Sequence, residues 1–228
     1  MGNRHAGAVG RVSASEALEP SVLERLPADF RAAIDFHGHL CPGLTMGYRA
    51  AVTALAWLGA QGAVDEELVG IVETDACGVD AFQFITGCTL GKGNLVFKDY
   101  GKQAFSLVRR SDGQGVRVAV RRDAVERDPS QTELRVRVMD GTATARERDA
   151  FRSSHIETAL RLLETPAERF ARVSEARVEI PLKARLFDSV TCTVCGEAVM
   201  EPRSRVRDGE PCCIPCATRY SRGWEIDG

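Results

Sequence analysis

The sequence predicts an α+β protein: a mainly antiparallel sheet packed with helices, followed by a small four-cysteine segment. Three observations predict it. Apolar residues recur at helical spacing on both flanks of the chain. Between the flanks lie short β-type runs separated by turn signals such as Asp112-Gly113 and Asp140-Gly141. Near the C-terminal end two Cys-x2-Cys pairs stand 17 residues apart.

The composition agrees with a globular chain. Of 228 residues, 44% are hydrophobic and 27% charged, and the formal net charge is −2. That balance gives no general attraction to nucleic acid or to a membrane surface. No apolar run approaches the ~20 residues of a membrane helix. Met1 to Glu19 has no apolar core of a secretory signal and reads as a disordered tail. Eight cysteines without an export signal point to thiols and metals, and the expected location is cytoplasmic. The expected organisation is a tail over 1–19, a metal-binding core over 20–187 and a zinc finger over 188–228.

Taken in order, Ser21 to Phe36 reads as one helix, with Val22, Leu23, Leu26, Phe30, Ala33 and Ile34 on its buried face. A second helix runs from about Leu44 to Leu58 and ends at Gly59 and Gly62. Val69 to Thr74 is a short apolar strand. Val79 to Thr86 is a mostly buried helix with Asp75 or Gly78 at its start. Asn94 to Met139 reads as an antiparallel meander of Leu95–Phe97, Ala104–Val108, Val116–Val120 and Leu134–Val138. Its arginines 117, 121, 135 and 137 read as a solvated face. Thr144 to Leu163 is a charged helix buried along Phe151, Ile156, Leu160 and Leu163. His155 on it reads as a structural or surface residue. Pro166 to Val173 reads as a short helix, and a linker falls near Leu186. In the finger, Ala198–Val206 with Asp208-Gly209 reads as a hairpin and Ile214–Tyr220 as a short helix.

Two stretches carry ligand chemistry. In Phe36-His37-Gly38-His39-Leu40-Cys41-Pro42-Gly43, the residues His37, His39 and Cys41 alternate, so an extended backbone points all three to one side. Imidazole and thiolate are ligands of zinc, nickel, copper and iron. Pro42 keeps Cys41 out of a helix, so Cys41 stands just before a helix N-terminus, where the dipole favours a thiolate. Cys77, between a strand and a helix, repeats that placement, and Glu73 or Asp75 beside it is placed to orient a histidine or to ligate. The second stretch is the pair Cys192-x2-Cys195 with Cys213-x2-Cys216. Four thiolates at this spacing give closed tetrahedral zinc, and the segment is too short to fold on a core of its own. Cys212 competes with Cys213, but only Cys213 completes Cys-x2-Cys.

Gly87-Cys88-Thr89-Leu90-Gly91-Lys92-Gly93-Asn94 lacks P-loop spacing but suits a backbone nest for an anion. Only four of the 30 basic side chains are lysine, and three of those fall at 92, 98 and 102. Lys92, between Gly91 and Gly93 and near the mouth of the metal site, is expected to meet a small anionic group.

These residues together resemble the E-subunit family of formylmethanofuran dehydrogenase. The resemblance rests on Phe-His37-Gly-His39-x-Cys41-Pro-Gly, Glu73-Thr-Asp75-Ala-Cys77, Gly87-Cys88-Thr-x-Gly-Lys92-Gly-Asn94 and the terminal cysteine pairs. It implies an α+β core, a treble-clef-like finger, a homodimer and a core site of His37, His39, Cys41 and Cys77. It further implies an accessory or enzymatic role in C1 or molybdenum/tungsten-enzyme metabolism, with such an enzyme as partner. On that reading His39, Cys41 and Lys92 carry the chemistry, the finger holds structural zinc, and the core holds a second metal, zinc, nickel or iron. The competing reading is a non-catalytic zinc-finger module contacting a protein or, less in keeping with the charge, nucleic acid.

Overall fold

β1 (Leu68–Val72), β2 (Leu95–Phe97), β3 (Ala104–Arg109), β4 (Gly115–Val120) and β5 (Ala171–Glu175) form one sheet in the order β2-β1-β3-β4-β5. The computed structural model describes residues 13–124 and 130–217. The chain divides into two compact units, one ending at Lys183 and one beginning at Ala184.

β1 is buried along its whole length, as its Leu-Val-Gly-Ile-Val sequence requires of a central strand. It pairs antiparallel with β3, and β3 with β4 and β4 with β5 do likewise. β2 departs from the expected meander by pairing parallel to β1, with Gly70 opposite Leu95. A parallel pair needs a crossover between its strands. The α4 helix (Gly78–Thr86) supplies it. Strand alternation then sorts the core. Leu68, Val72, Phe105, Leu107, Val116 and Val118 face a helical layer. Val69, Ile71 and Val108 face the other way, against Val178 and Ile180.

The helical layer is built on α3 (Pro42–Leu58), which buries Ala50, Ala51, Ala54 and Leu58 against the sheet. It stops at Gly59, whose φ of +57° suits glycine. The expected helix from Ser21 is two, α1 (Pro20–Leu23) and α2 (Ala28–His37). Pro27 breaks them, standing at ψ 147° as the N-cap of α2. α6 (Ala145–Glu164) begins with a reciprocal capping box between Thr144 and Glu147. It buries Ala159, Leu160 and Leu162, with the expected Phe151, Ile156 and Leu163 only partly buried.

Four further readings change. Leu134–Val138 belongs to a helix, α5 (Ser130–Met139), packed on α6. Leu134 and Val138 are four apart and half-buried, while Val136 is 53% exposed. A five-residue apolar alternation fits either period, and packing chose the helical one. The helix expected over Pro166–Val173 ends early as α7 (Ala167–Phe170), and the chain continues as the edge strand β5. The expected tail is partly structured. Asp35 accepts hydrogen bonds from Ser13 Oγ at 2.7 Å and Ser15 N at 2.8 Å, which ties residues 13–15 to α2. Residues 1–12 of that tail lie outside the described residues. Arg117 is not merely solvated: it donates to the buried Glu73 from Nε at 2.6 Å and Nη2 at 2.8 Å.

Among its described residues the second unit has two hairpins where one was expected. β6 (Ser189–Thr191) pairs with β7 (Ala198–Met200), and β8 (Arg205–Arg207) with β9 (Glu210–Cys212). Asp208 and Gly209, at φ 54° and 86°, form the tight turn of the second. Of the helix expected over Ile214–Tyr220, a single 3-10 turn, Ile214–Cys216, lies in the described residues; 218 onward lies outside them. Among the described residues no helix is long and apolar enough to cross a membrane.

Candidate metal centres

α2 ends at His37 and hands the chain to Gly38, which turns it left-handed at φ 97°. Leu40 is buried, and Cys41 is extended at φ −147°, ψ 162°, as the residue before a proline must be. Cys41 is thereby the N-cap of α3. Its Sγ accepts a hydrogen bond from Leu44 N at 3.4 Å, and Thr45 Oγ1 donates to its carbonyl at 3.1 Å.

Cys77 arrives from the sheet side as the N-cap of α4. Three glycines let it reach Cys41. A Cβ on Gly47 would lie 1.9 Å from the Gly78 carbonyl oxygen. On Gly43 it would lie 3.2 Å from Cys77 Cβ, and on Gly78 it would lie 2.9 Å from the Gly43 oxygen. α3 and α4 therefore meet backbone to backbone, at a separation no side chain permits. His37, His39, Cys41 and Cys77 each offer one donor atom, and these atoms lie within 4.8 Å of one another.

His37 shows how well a cation fits. Its Nδ1 lies 2.7 Å from Asp80 Oδ2, which assigns the proton to that nitrogen. The other nitrogen, Nε2, is buried and has no hydrogen-bond partner among the described residues. Leaving a buried acceptor unpaired costs about 1–3 kcal/mol. A metal at the centre of the four donors removes that cost, and a carboxylate behind the ligating histidine is the usual support for one. The supporting carboxylate is Asp80, not the expected Glu73 or Asp75. Glu73 is held by Arg117, and Asp75 is exposed and caps nothing. Asp80 lies in the first turn of α4, and its spacing from the histidines in sequence carries no signal of this contact.

Burial pushes the Cys41 thiol up to about 12, with the Leu44 amide only partly opposing and Cys77 adding to the rise. In the metal-free chain burial therefore works against the thiolate that the helix end was expected to favour. Cys88 lies in the sheet core, and burial lifts its thiol to about 11.

Lys92 is placed elsewhere. Its amine donates to the carbonyls of Ala63 at 3.1 Å and Val64 at 3.4 Å. Gly91, Lys92 and Gly93 follow the C-terminal end of α4, whereas Cys77 caps its N-terminal end, so the helix of nine residues, about 13 Å at 1.5 Å per residue, separates them. Asn94 fixes this loop, accepting from Thr89 N and donating to the carbonyls of Asp65 and Leu68. The loop is a structural turn at the far end of β1. The exposed rings of Phe36 and Phe84, 58% and 43% exposed and 5.7 Å apart, flank the His37–Asp80 pair instead.

In the finger, Cys192, Cys195, Cys213 and Cys216 bring their sulfurs within 4.8 Å. Cys192 and Cys195 occupy the loop of the β6–β7 hairpin, where Gly196 turns at φ 77°. Cys213 and Cys216 follow β9, and Thr193 N donates to the Pro211 carbonyl to join the two halves. Cys212 is buried but stands outside the donor group.

Comparison with known proteins matches the core and the finger to separate family models. The family described as FmdE, molybdenum formylmethanofuran dehydrogenase operon, matches residues 36–172. The prokaryotic dksA/traR C4-type zinc finger matches residues 185–222. A protein of Archaeoglobus fulgidus described as a probable S-adenosyl-L-methionine-binding protein is 38% identical over 212 residues. That alignment takes in 90% of this chain but only 56% of the relative, so the chain spans little more than half of that relative's length. The crystal structure of a tungsten formylmethanofuran dehydrogenase FmdE-like protein from Syntrophus aciditrophicus superposes with a TM-score of 0.52 at 23% identity, covering 82% of this chain and 90% of that one. At that identity the likeness speaks for the fold.

Proposed function

The chain belongs to the FmdE family, and from that premise we propose that it acts through a transition metal held by His37, His39, Cys41 and Cys77, in an accessory or enzymatic role in C1 or molybdenum/tungsten-enzyme metabolism. The observation that carries the reading is Nε2 of His37, buried and without a hydrogen-bond partner among the described residues, while Asp80 holds Nδ1 of the same ring. A bound metal would supply Lewis acidity there. The chain's own part is to fix the donors and to keep one face accessible, since His39 is exposed and Cys77 only partly buried. The finger, with its four sulfurs at structural-zinc spacing, holds its own unit together.

The description of the Archaeoglobus relative adds S-adenosylmethionine as a ligand to test. The exposed Phe36–Phe84 pair beside the centre is suited to stack a planar base. Calorimetry with S-adenosylmethionine on wild type and on Phe84→Ala tests that part; equal heats would remove the pair from consideration.

Metal analysis tests the main reading. Two metals per chain are expected, and His37→Ala or Cys77→Ser should lose one of them while the chain stays folded. A single metal, removed only by finger substitutions, would favour the non-catalytic module.

A further inference from the structure

The four donors of the core centre are not held alike. His37 is backed by Asp80, and its side chain is only 10% exposed. Cys41 is fixed as a helix cap by the Leu44 amide. Cys77 is pinned where the α4 backbone meets Gly43. His39 is exposed, and no hydrogen bond to its ring exists among the described residues. It touches the His37 ring at 4.5 Å. It follows Gly38, at which a side chain would meet nothing within 4 Å. A ligating histidine normally donates its second nitrogen to a partner that fixes the ring. His39 lacks that support.

α6 stands beside this loosely held ligand. Ile156, Ala159 and Leu160 pack in the same cluster as Leu40 and Cys41, the residues that follow His39. His155 precedes Ile156, and its ring lies tilted against Phe151 with centroids 4.0 Å apart. It lies one turn before the buried Ala159, on the face of α6 that meets this cluster, and burial first, then the charges of His39 and Arg135, disfavour its protonated form. Two thiolates already neutralise a divalent metal, so an added anion would leave the centre negative. Arg135 is a cation on that side, and His155 can donate a hydrogen bond from its neutral ring.

We infer that His39 is the exchangeable ligand of the core centre, and that a small anionic donor takes its position on the metal and is held there by a hydrogen bond from His155. This rests on the core-metal reading above. The exchange is redox-neutral: the bond from metal to His39 breaks, one to the incoming donor forms, and no electron is transferred.

The test uses the full chain with zinc in its finger, titrated with cobalt(II) and then with azide, both followed by visible absorption. His39→Ala should keep its cobalt, losing less than the about 10–100-fold that removal of a ligand's support costs. Cys77→Ser should lose far more. Azide should bind wild type and bind His39→Ala more tightly. His155→Ala should retain cobalt but weaken azide by at least about tenfold, and His155→Gln, which can still donate, should recover part of that loss. Cobalt loss in His39→Ala as complete as in Cys77→Ser would overturn the inference. So would azide affinity that neither His39→Ala nor His155→Ala alters. Wild type that takes up no cobalt beyond the finger would sink the core-metal reading itself, and this inference with it.

Discussion

His37 presents one ring nitrogen to Asp80 at 2.7 Å and the other to the donor group. Asp80→Asn keeps the size of the side chain and weakens the acceptor. Core metal affinity should fall about 10–100-fold in competition with a chelator. The melting temperature should hardly move, because the Asp80 side chain is 41% exposed. Equal affinity would reduce the contact to a surface ion pair. Glu73 is a different kind of residue. The hydrogen bonds from Arg117 hold its carboxyl below the ordinary 4.5, with the charges of Arg117, Lys102 and Lys98 adding to them against burial's opposing effect. A carboxyl depressed on folding contributes in full above its unfolded pKa and loses that contribution as pH falls through the folded one. Glu73→Gln should therefore cost about 1–3 kcal/mol at pH 7, and the gap to wild type should close below about pH 4. Urea unfolding at both pH values measures it; a gap that persists in acid would rule out the charge as its source.

At the scale of elements, the contact between α3 and α4 creates the centre. Gly43 and Gly47 lie one turn apart on α3 and meet Gly78 at the start of α4. Gly47→Ala would place a methyl 1.9 Å from the Gly78 oxygen and must drive the helices apart. The expected cost is about 3 kcal/mol, the upper part of the overpacking range, together with loss of core metal as Cys77 leaves Cys41. Gly38→Ala is the control. It meets nothing within 4 Å, so its cost should be only the 1–2 kcal/mol, approximately, of a left-handed residue with a side chain. Thermal melts of the two variants with metal analysis compare them; equal metal retention would show that the close approach does not position Cys77.

For the whole molecule, the two units have unlike sources of stability. The unit ending at Lys183 has a sheet covered on one face by the α3 layer, with Phe82, Phe105, Leu107 and Phe170 fully buried. In the unit from Ala184 the buried cluster is Cys192, Cys212 and Cys213, with Val199, Cys216 and Ala217 partly buried against it. Among the described residues that is too little apolar surface to offset chain entropy, so the metal must supply the difference. A strong chelator, or Cys195→Ser, should open the finger to proteases while amides of β1 and β3 stay protected from exchange. A finger that kept its protease resistance after complete zinc removal would contradict this.

The amino-acid sequence by itself determined the ligand inventory and the elements with strong local signals. His37, His39, Cys41 and the cysteine pairs were legible because metal ligation depends on residue type and short spacing. α3, β1, α4 and α6 were legible because a buried stripe or run repeats over many residues. Only the tertiary structure decided what those elements do to one another. It set β2 parallel to β1, turned Leu134–Val138 into a helix, and added β5 at the sheet edge. It gave Glu73 to Arg117 and Asp80 to His37, sent Lys92 to the far end of α4, and packed α6, which carries His155, in the cluster of the residues that follow His39. Each of these depends on partners distant along the chain. Local pattern states which side chains can ligate, pair or pack; which ones meet is set when helices and strands close on one another.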